Sequence, residues 1–297
     1  MTALTARLVS YDLRKRLGGV TEAEVRVHSV FDSALNVILD DGNLAALLAP
    51  CREPTPGSAV LRHPINFRET GLSPGDRVVV GLSGAAGVCL SVPGMTPVVR
   101  PGCAGYAARL RLIADAALSH EHADQSLAPL LCHLFGLLPV LPHNAYTIFL
   151  APRVSNLCSA LGAADKEYGE LTRLGADTAG CGAGLTPSSD DLMVGVFAAL
   201  YGMSMAGWLN PTKTAARCNA VAAGATPRTT TISAHFLTSA ANGVFSQDIL
   251  SLLSAFFTSP NDSDTTKAAL RLCALGSTSG TDTLCGIYLG FSPYALI

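Results

Sequence analysis

The period of the hydrophobic pattern changes near residue 100, and that change limits the chain to two kinds of architecture in succession. Upstream, Val25, Val27 and Ser29 alternate with Arg26, His28 and Val30, and Leu35-Asn36-Val37-Ile38-Leu39 runs into the turn signal Asp40-Asp41-Gly42-Asn43. A period of two belongs to a strand with one buried face, and the Asp-Gly turn predicts a hairpin of two short strands. Ser58 to Leu61, Arg77 to Leu82 and Val88 to Val92 add strands, with Gly and Pro at the corners. Such a set predicts a small closed or nearly closed β-unit rather than a parallel sheet. Downstream of Pro101, apolar residues recur at three- and four-residue spacings over Ala107 to His120, Leu127 to Leu138 and Val154 to Leu174, the mark of helices. Further helices are expected at about 188–207, 211–223, 230–241, 245–257, 264–274 and 280–290. The expected fold class is α+β: a β-rich, barrel-like domain over residues 1–100, then a larger, mostly α-helical domain over 101–297.

A length of 297 residues exceeds the usual single core, which agrees with two domains. Apolar residues make up 49% and charged residues 14%, with a mean hydropathy of +0.36, so much surface is expected to be buried against partners. A net charge of −2 without any Lys/Arg run leaves no electrostatic footprint for nucleic acid or a membrane surface. Leu192 to Trp208 is largely apolar, but three glycines, a serine and flanking acids mark a helix buried within protein rather than a membrane span. Nine cysteines without a Cys-x-x-Cys pair support neither a zinc site nor a disulfide framework. The N-terminus has no apolar signal core, so a cytoplasmic location is expected.

Chemistry is concentrated where Gly180-Cys181-Gly182-Ala183-Gly184-Leu185 runs into Thr186-Pro187-Ser188-Ser189-Asp190-Asp191. Glycines at 180, 182 and 184 permit positive φ and close approach of a ligand to the backbone. Thr186 is placed to cap the following helix and Pro187 to occupy its first position. Loop N–H groups and the positive helix end then favour a small anionic substrate or phosphate. Asp190 and Asp191 would repel such an anion unless amides or a cation absorb their charge.

The pattern returns ninety-one residues later, where Ser279-Gly280-Thr281-Asp282-Thr283-Leu284-Cys285-Gly286 aligns with Ser188 to Gly195. Both are Ser-x-x-Asp helix starts, in which a capping box would pair each serine with its own helix. Between them, Arg228-Thr229-Thr230 places a guanidinium beside hydroxyls at another helix start, a grouping suited to carboxylate or phosphate. No Gly-x-Ser-x-Gly elbow, Walker loop or zinc signature is present.

Gly182-Ala183-Gly184-Leu185-Thr186-Pro187-Ser188-Ser189-Asp190-Asp191 resembles the Gly-x-Gly-Leu-Thr-Pro-Ser-Gly-Asp-Asp signature of the AllH-type proteins, which include a subunit of bacterial oxamate carbamoyltransferase. Arg228 to Ser233 with Phe236-Leu237, Ser277 to Gly286, and Ser29 to Phe31 with Ala34 to Asn36 extend the resemblance. Ser189 stands where the family usually has glycine. The resemblance implies a reaction in which oxalurate and phosphate give oxamate and carbamoyl phosphate, within a complex of several subunits in purine-breakdown nitrogen metabolism. Asp190, Asp191, Arg228 and Asp282 are the candidate catalytic residues, and Gly182, Gly184, Thr186, Ser188, Ser189, Thr229, Thr230, Ser279 and Gly280 the candidate substrate-binding ones. No metal ligand set is assigned, and the one cofactor the aspartates leave room for is a divalent cation. The alternative function is a non-catalytic assembly subunit of an acyl-CoA-synthetase-like complex.

Overall fold

The computed structural model describes residues 4–163 and 167–294, which form two compact units. The first runs to Ser91 and also takes in Phe245–Gln247. It contains β1 (Leu4–Ser10), α1 (Tyr11–Arg16), β2 (Glu22–Val30), β3 (Ala34–Ile38), β4 (Leu44–Leu48), β5 (Ser58–Leu61), β6 (Arg77–Gly81) and β7 (Ala86–Val88). The strand order is β5-β4-β3-β2-β6-β1, and pairing of β1 with β5 closes these six strands into a barrel, to which β7 adds beside β1. The core follows the period of two: Val25 and Val27, Leu35 and Val37, Ala45 and Leu47, Ala59 and Leu61, and Val78 and Val80 are all buried in one cluster.

Three features depart from the expected pattern. The Asp40–Asn43 turn joins β3 to β4, with Leu39 N–H bonded to Asn43 O at 2.9 Å, whereas β2 reaches β3 through residues 31–33. The sequence Leu-Ala-Ala-Leu-Leu of β4 has helix-forming composition and little alternation, so its strand character comes from its two neighbours. In β1 the register shifts between Ala6 and Leu8, which sends Ala6 and Val9 inward and breaks the alternation that would have marked the strand.

The second unit is helical: α2 (Ala104–Leu118), α3 (Ala128–Phe135), α4 (Ala145–Gly162), α5 (Tyr168–Thr178), α6 (Ser188–Met205), α7 (Pro211–Ala225), α8 (Thr231–Ala241), α9 (Gln247–Thr258), α10 (Asp262–Cys273) and α11 (Ser279–Phe291). The stretch from Val154 to Leu174, expected as one helix, is two. Asn144 and Thr147 form a capping box that starts α4 earlier, and Ala163 ends it in an extended conformation. Residues 164–166 of that stretch lie outside the described residues. Among the described residues, no helix is long and apolar enough to cross a membrane.

The apolar α6 is buried along most of its length and packs against α11. A Cβ added at Gly195 would lie 2.0 Å from Thr283 O, and one at Gly286 would lie 1.9 Å from Leu192 O. These contacts are reciprocal across the ninety-one-residue repeat, since 283 and 286 correspond to 192 and 195. Further along, a Cβ at Gly290 would meet Ala199 Cβ at 2.5 Å, so the helices run parallel, related by a local two-fold. The glycines thereby bring two helix N-termini side by side, each carrying about half a positive charge.

Candidate functional site

The loop before α6 is built on glycine. Gly180, Gly182 and Gly184 have φ of +76°, +134° and +89°. A Cβ at Gly180 would strike Arg228 O at 2.4 Å and one at Gly182 would strike Ser188 N at 2.3 Å, so the loop is folded tightly onto the segment before α8 and onto α6. Gly184 faces open space. Ser189 N–H closes the loop on Cys181 O at 2.9 Å, and Cys181 N–H returns to Ser189 Oγ at 2.9 Å. Ser189 is helical and fully buried, and no non-glycine residue described has positive φ, so serine meets no backbone strain at this position.

Asp190 is also fully buried, and four donors surround its carboxylate. Gly180 N–H reaches Oδ1 at 2.8 Å and Ser189 Oγ reaches it at 3.2 Å, while Ser233 Oγ reaches Oδ2 at 2.7 Å and Thr229 Oγ1 donates to the same oxygen. Thr230 Oγ1 caps α8 by accepting from Ser233 N–H at 3.1 Å and donates to Leu185 O at 2.5 Å. The loop and the Arg228 segment are thus fastened to one carboxylate, whose charge the protein's own donors absorb.

Asp191 and Asp282 are arranged differently. The expected capping boxes do not form: Pro187 and Thr278 are the N-cap residues and make no side-chain cap bond, which leaves Ser188 and Ser279 inside the first turn. Packing of α6 on α11 redirects these groups across the two-fold. The Ser279 and Thr186 hydroxyls act on the Asp191 carboxylate, and those of Ser188 and Thr278 on that of Asp282, each favouring the ionised form, and Thr186 Oγ1 lies 2.9 Å from Ser279 Oγ. Asp282 Oδ1 also accepts from Leu127 N–H at 2.6 Å. The second oxygen of each aspartate, Oδ2, is sealed from solvent and has no hydrogen-bond partner.

Burial pushes the Asp282 carboxyl up to about 7, against the opposing pull of the Leu127 N–H and the Ser188 and Thr278 hydroxyls. Asp191 is raised well above the usual carboxylate range by burial and then by the charge of Asp282, with Ser279 and Thr186 opposing. Asp282 is fully buried, whereas Asp191 is half-buried and is the member of the pair nearer solvent.

Residues 178–291 match the family model described as oxamate carbamoyltransferase subunit AllH, and residues 4–90 match the AllH family N-terminal domain. The chain belongs to the AllH family. No curated protein and no solved structure matches it.

In this AllH-family chain the three segments singled out from sequence meet: Thr186 touches Ser279, and Thr229 and Thr230 touch Asp190 and Leu185. Arg228 is exposed, and among the described residues its guanidinium makes no hydrogen bond or ion pair. The N–H groups of Gly182 to Thr186 likewise have no protein acceptor among the described residues. Gly280 has a packing role, since a Cβ there would lie 1.8 Å from Leu272 O of α10. Sequence reasoning missed Ser233, Thr278 and the Leu127 N–H. The two hydroxyls lie within quoted motifs, but a backbone amide 155 positions from its acceptor leaves no trace in a one-dimensional pattern.

Proposed function

We propose that this chain is a subunit of a carbamoyltransferase of the oxamate type, in which oxalurate and phosphate exchange with oxamate and carbamoyl phosphate, and that its glycine loop binds the small anion. The observation that carries this reading is the set of donors without a protein acceptor: the N–H groups of Gly182 to Thr186 and the exposed guanidinium of Arg228. Backbone amides at a helix start and a guanidinium fork suit phosphate or the carboxylate of an oxamate-like molecule. Donors fixed in advance stabilise charge that develops on the transferred group. Asp191, half-buried beside them, is the acid that faces the ligand, and Asp190 positions the loop.

In a reconstituted complex, Arg228→Ala and Asp191→Asn should each abolish carbamoyl transfer while leaving the circular dichroism spectrum unchanged. Wild-type turnover in both variants would end the proposal.

The second reading, an assembly subunit without chemistry of its own, draws on the buried, internally bonded state of Ser189 and Asp190. Thermal shift separates the two. A ligand that binds only the folded chain adds about 2.7 kcal/mol at a hundredfold excess over Kd. A higher melting temperature with phosphate, carbamoyl phosphate or oxamate supports the binding site, and no response to any of them supports assembly.

A further inference from the structure

We infer that Asp191 and Asp282, with the hydroxyls of Ser188 and Ser279, form a site for one hard divalent cation of the Mg2+ or Mn2+ kind. Three observations lead there. The reciprocal glycine contacts of α6 and α11 hold the two aspartates at adjoining helix starts, so neither can move away from the other without unpacking the helices. Each carboxylate keeps one oxygen, Oδ2, that is shielded from water and accepts no hydrogen bond. Asp282 is fully buried, so bulk solvent does not reach that oxygen directly. Asp190, adjacent in sequence, shows how this fold satisfies both oxygens of a carboxylate with protein donors, and the Oδ2 atoms of the pair lack that treatment.

The donor set selects the ion. The proposed ligands are carboxylate and hydroxyl oxygens, which suit a hard cation, and although the Cys273 and Cys285 thiols lie near Asp282, burial raises both and keeps them protonated. Among the described residues, no group of three or more His, Cys, Asp or Glu could hold a metal, so an all-protein cage is absent. Mg2+ characteristically takes one or two carboxylates and completes its octahedron with water and substrate oxygens. Once an entering ion has displaced the protons that burial holds on the two aspartates, they give −2 and two helix ends return about +1, leaving about −1. A divalent ion turns this to about +1, which resolves the conflict between two acids and an anionic ligand on the adjoining loop. That last consequence rests on the proposed function, whereas cation binding does not.

Mn2+ is titrated into the chelator-treated full-length chain without substrate, and free ion is followed by its electron paramagnetic resonance signal. One Mn2+ per chain should be withdrawn from the signal at neutral pH and released by excess Mg2+. Asp191→Asn and Asp282→Asn should each lose that binding while melting cooperatively, as removal of one of two like charges does not require the helices to part. Absence of saturable binding by the wild-type chain overturns the inference, as does binding that persists unchanged in either variant. Mn2+ binding by a chain whose complex performs no carbamoyl transfer upholds this site and removes the proposed function, and transfer without Mn2+ binding does the reverse.

Discussion

Neighbouring acids in one motif can have opposite duties, and Asp190 and Asp191 show why. Successive helical residues project about 100° apart, so one points back at the glycine loop and the other across to α11. Asp190 meets four donors, and two of them, the buried Ser189 and Ser233 hydroxyls, would be left unsatisfied in its absence. Asp190→Ala should therefore destabilise the chain by on the order of 3 kcal/mol, a buried charged hydrogen-bond acceptor being among the costlier single losses. Amide exchange should accelerate at Gly180 and Cys181 before it does elsewhere, which hydrogen-exchange mass spectrometry would detect. Unchanged exchange there would mean that backbone packing alone holds the loop.

At the level of elements, the parallel pairing of α6 with α11 depends on two missing side chains. Gly195→Ala or Gly286→Ala should force the axes apart, at a cost of about 3 kcal/mol or more from overpacking, read as a lower urea midpoint. The same pairing makes stability depend on pH. Asp282 holds its proton up to about 7 in the fold but only to the ordinary 3.8 when unfolded. Between those values the folded state binds more protons, so stability is greatest below the window and falls as pH rises through it, with Asp191 acting in the same direction. In chelating buffer the melting temperature should drop between pH 5 and pH 8, and Asp282→Asn should flatten that slope. Much of this layer was legible beforehand: the repeat marked both helix starts, and the glycines at 180, 182 and 184 do adopt positive φ. The exchange of partners between the helices was not legible, because a capping box is a local rule and the closeness of α6 and α11 is a tertiary fact. In the barrel, alternation exposed β2, β3 and β6, whereas the shifted register of β1 and the evenly buried β4 concealed those strands.

The whole molecule divides by contact rather than by sequence alone. Phe245 lies far along the chain, yet it belongs to the first unit, where its N–H bonds Leu90 O at 2.9 Å and Gln247 N–H bonds Pro54 O at 2.9 Å. The β-rich unit is therefore complete only once residue 247 is in place, and Phe245→Ala, which removes a fully buried ring, should cost about 3–5 kcal/mol in a denaturant titration. A lasting consequence belongs to the near-duplication of the two helix starts. The two starts carry the same serine and aspartate on either side of the local dyad, so the identity of those residues does not by itself dictate a ligand's heading. Positions that differ between the two copies can, among them Asp190 against Thr281 and Ser189 against Gly280. Which end of an unsymmetrical molecule points toward the loop is thus encoded where the two copies have diverged.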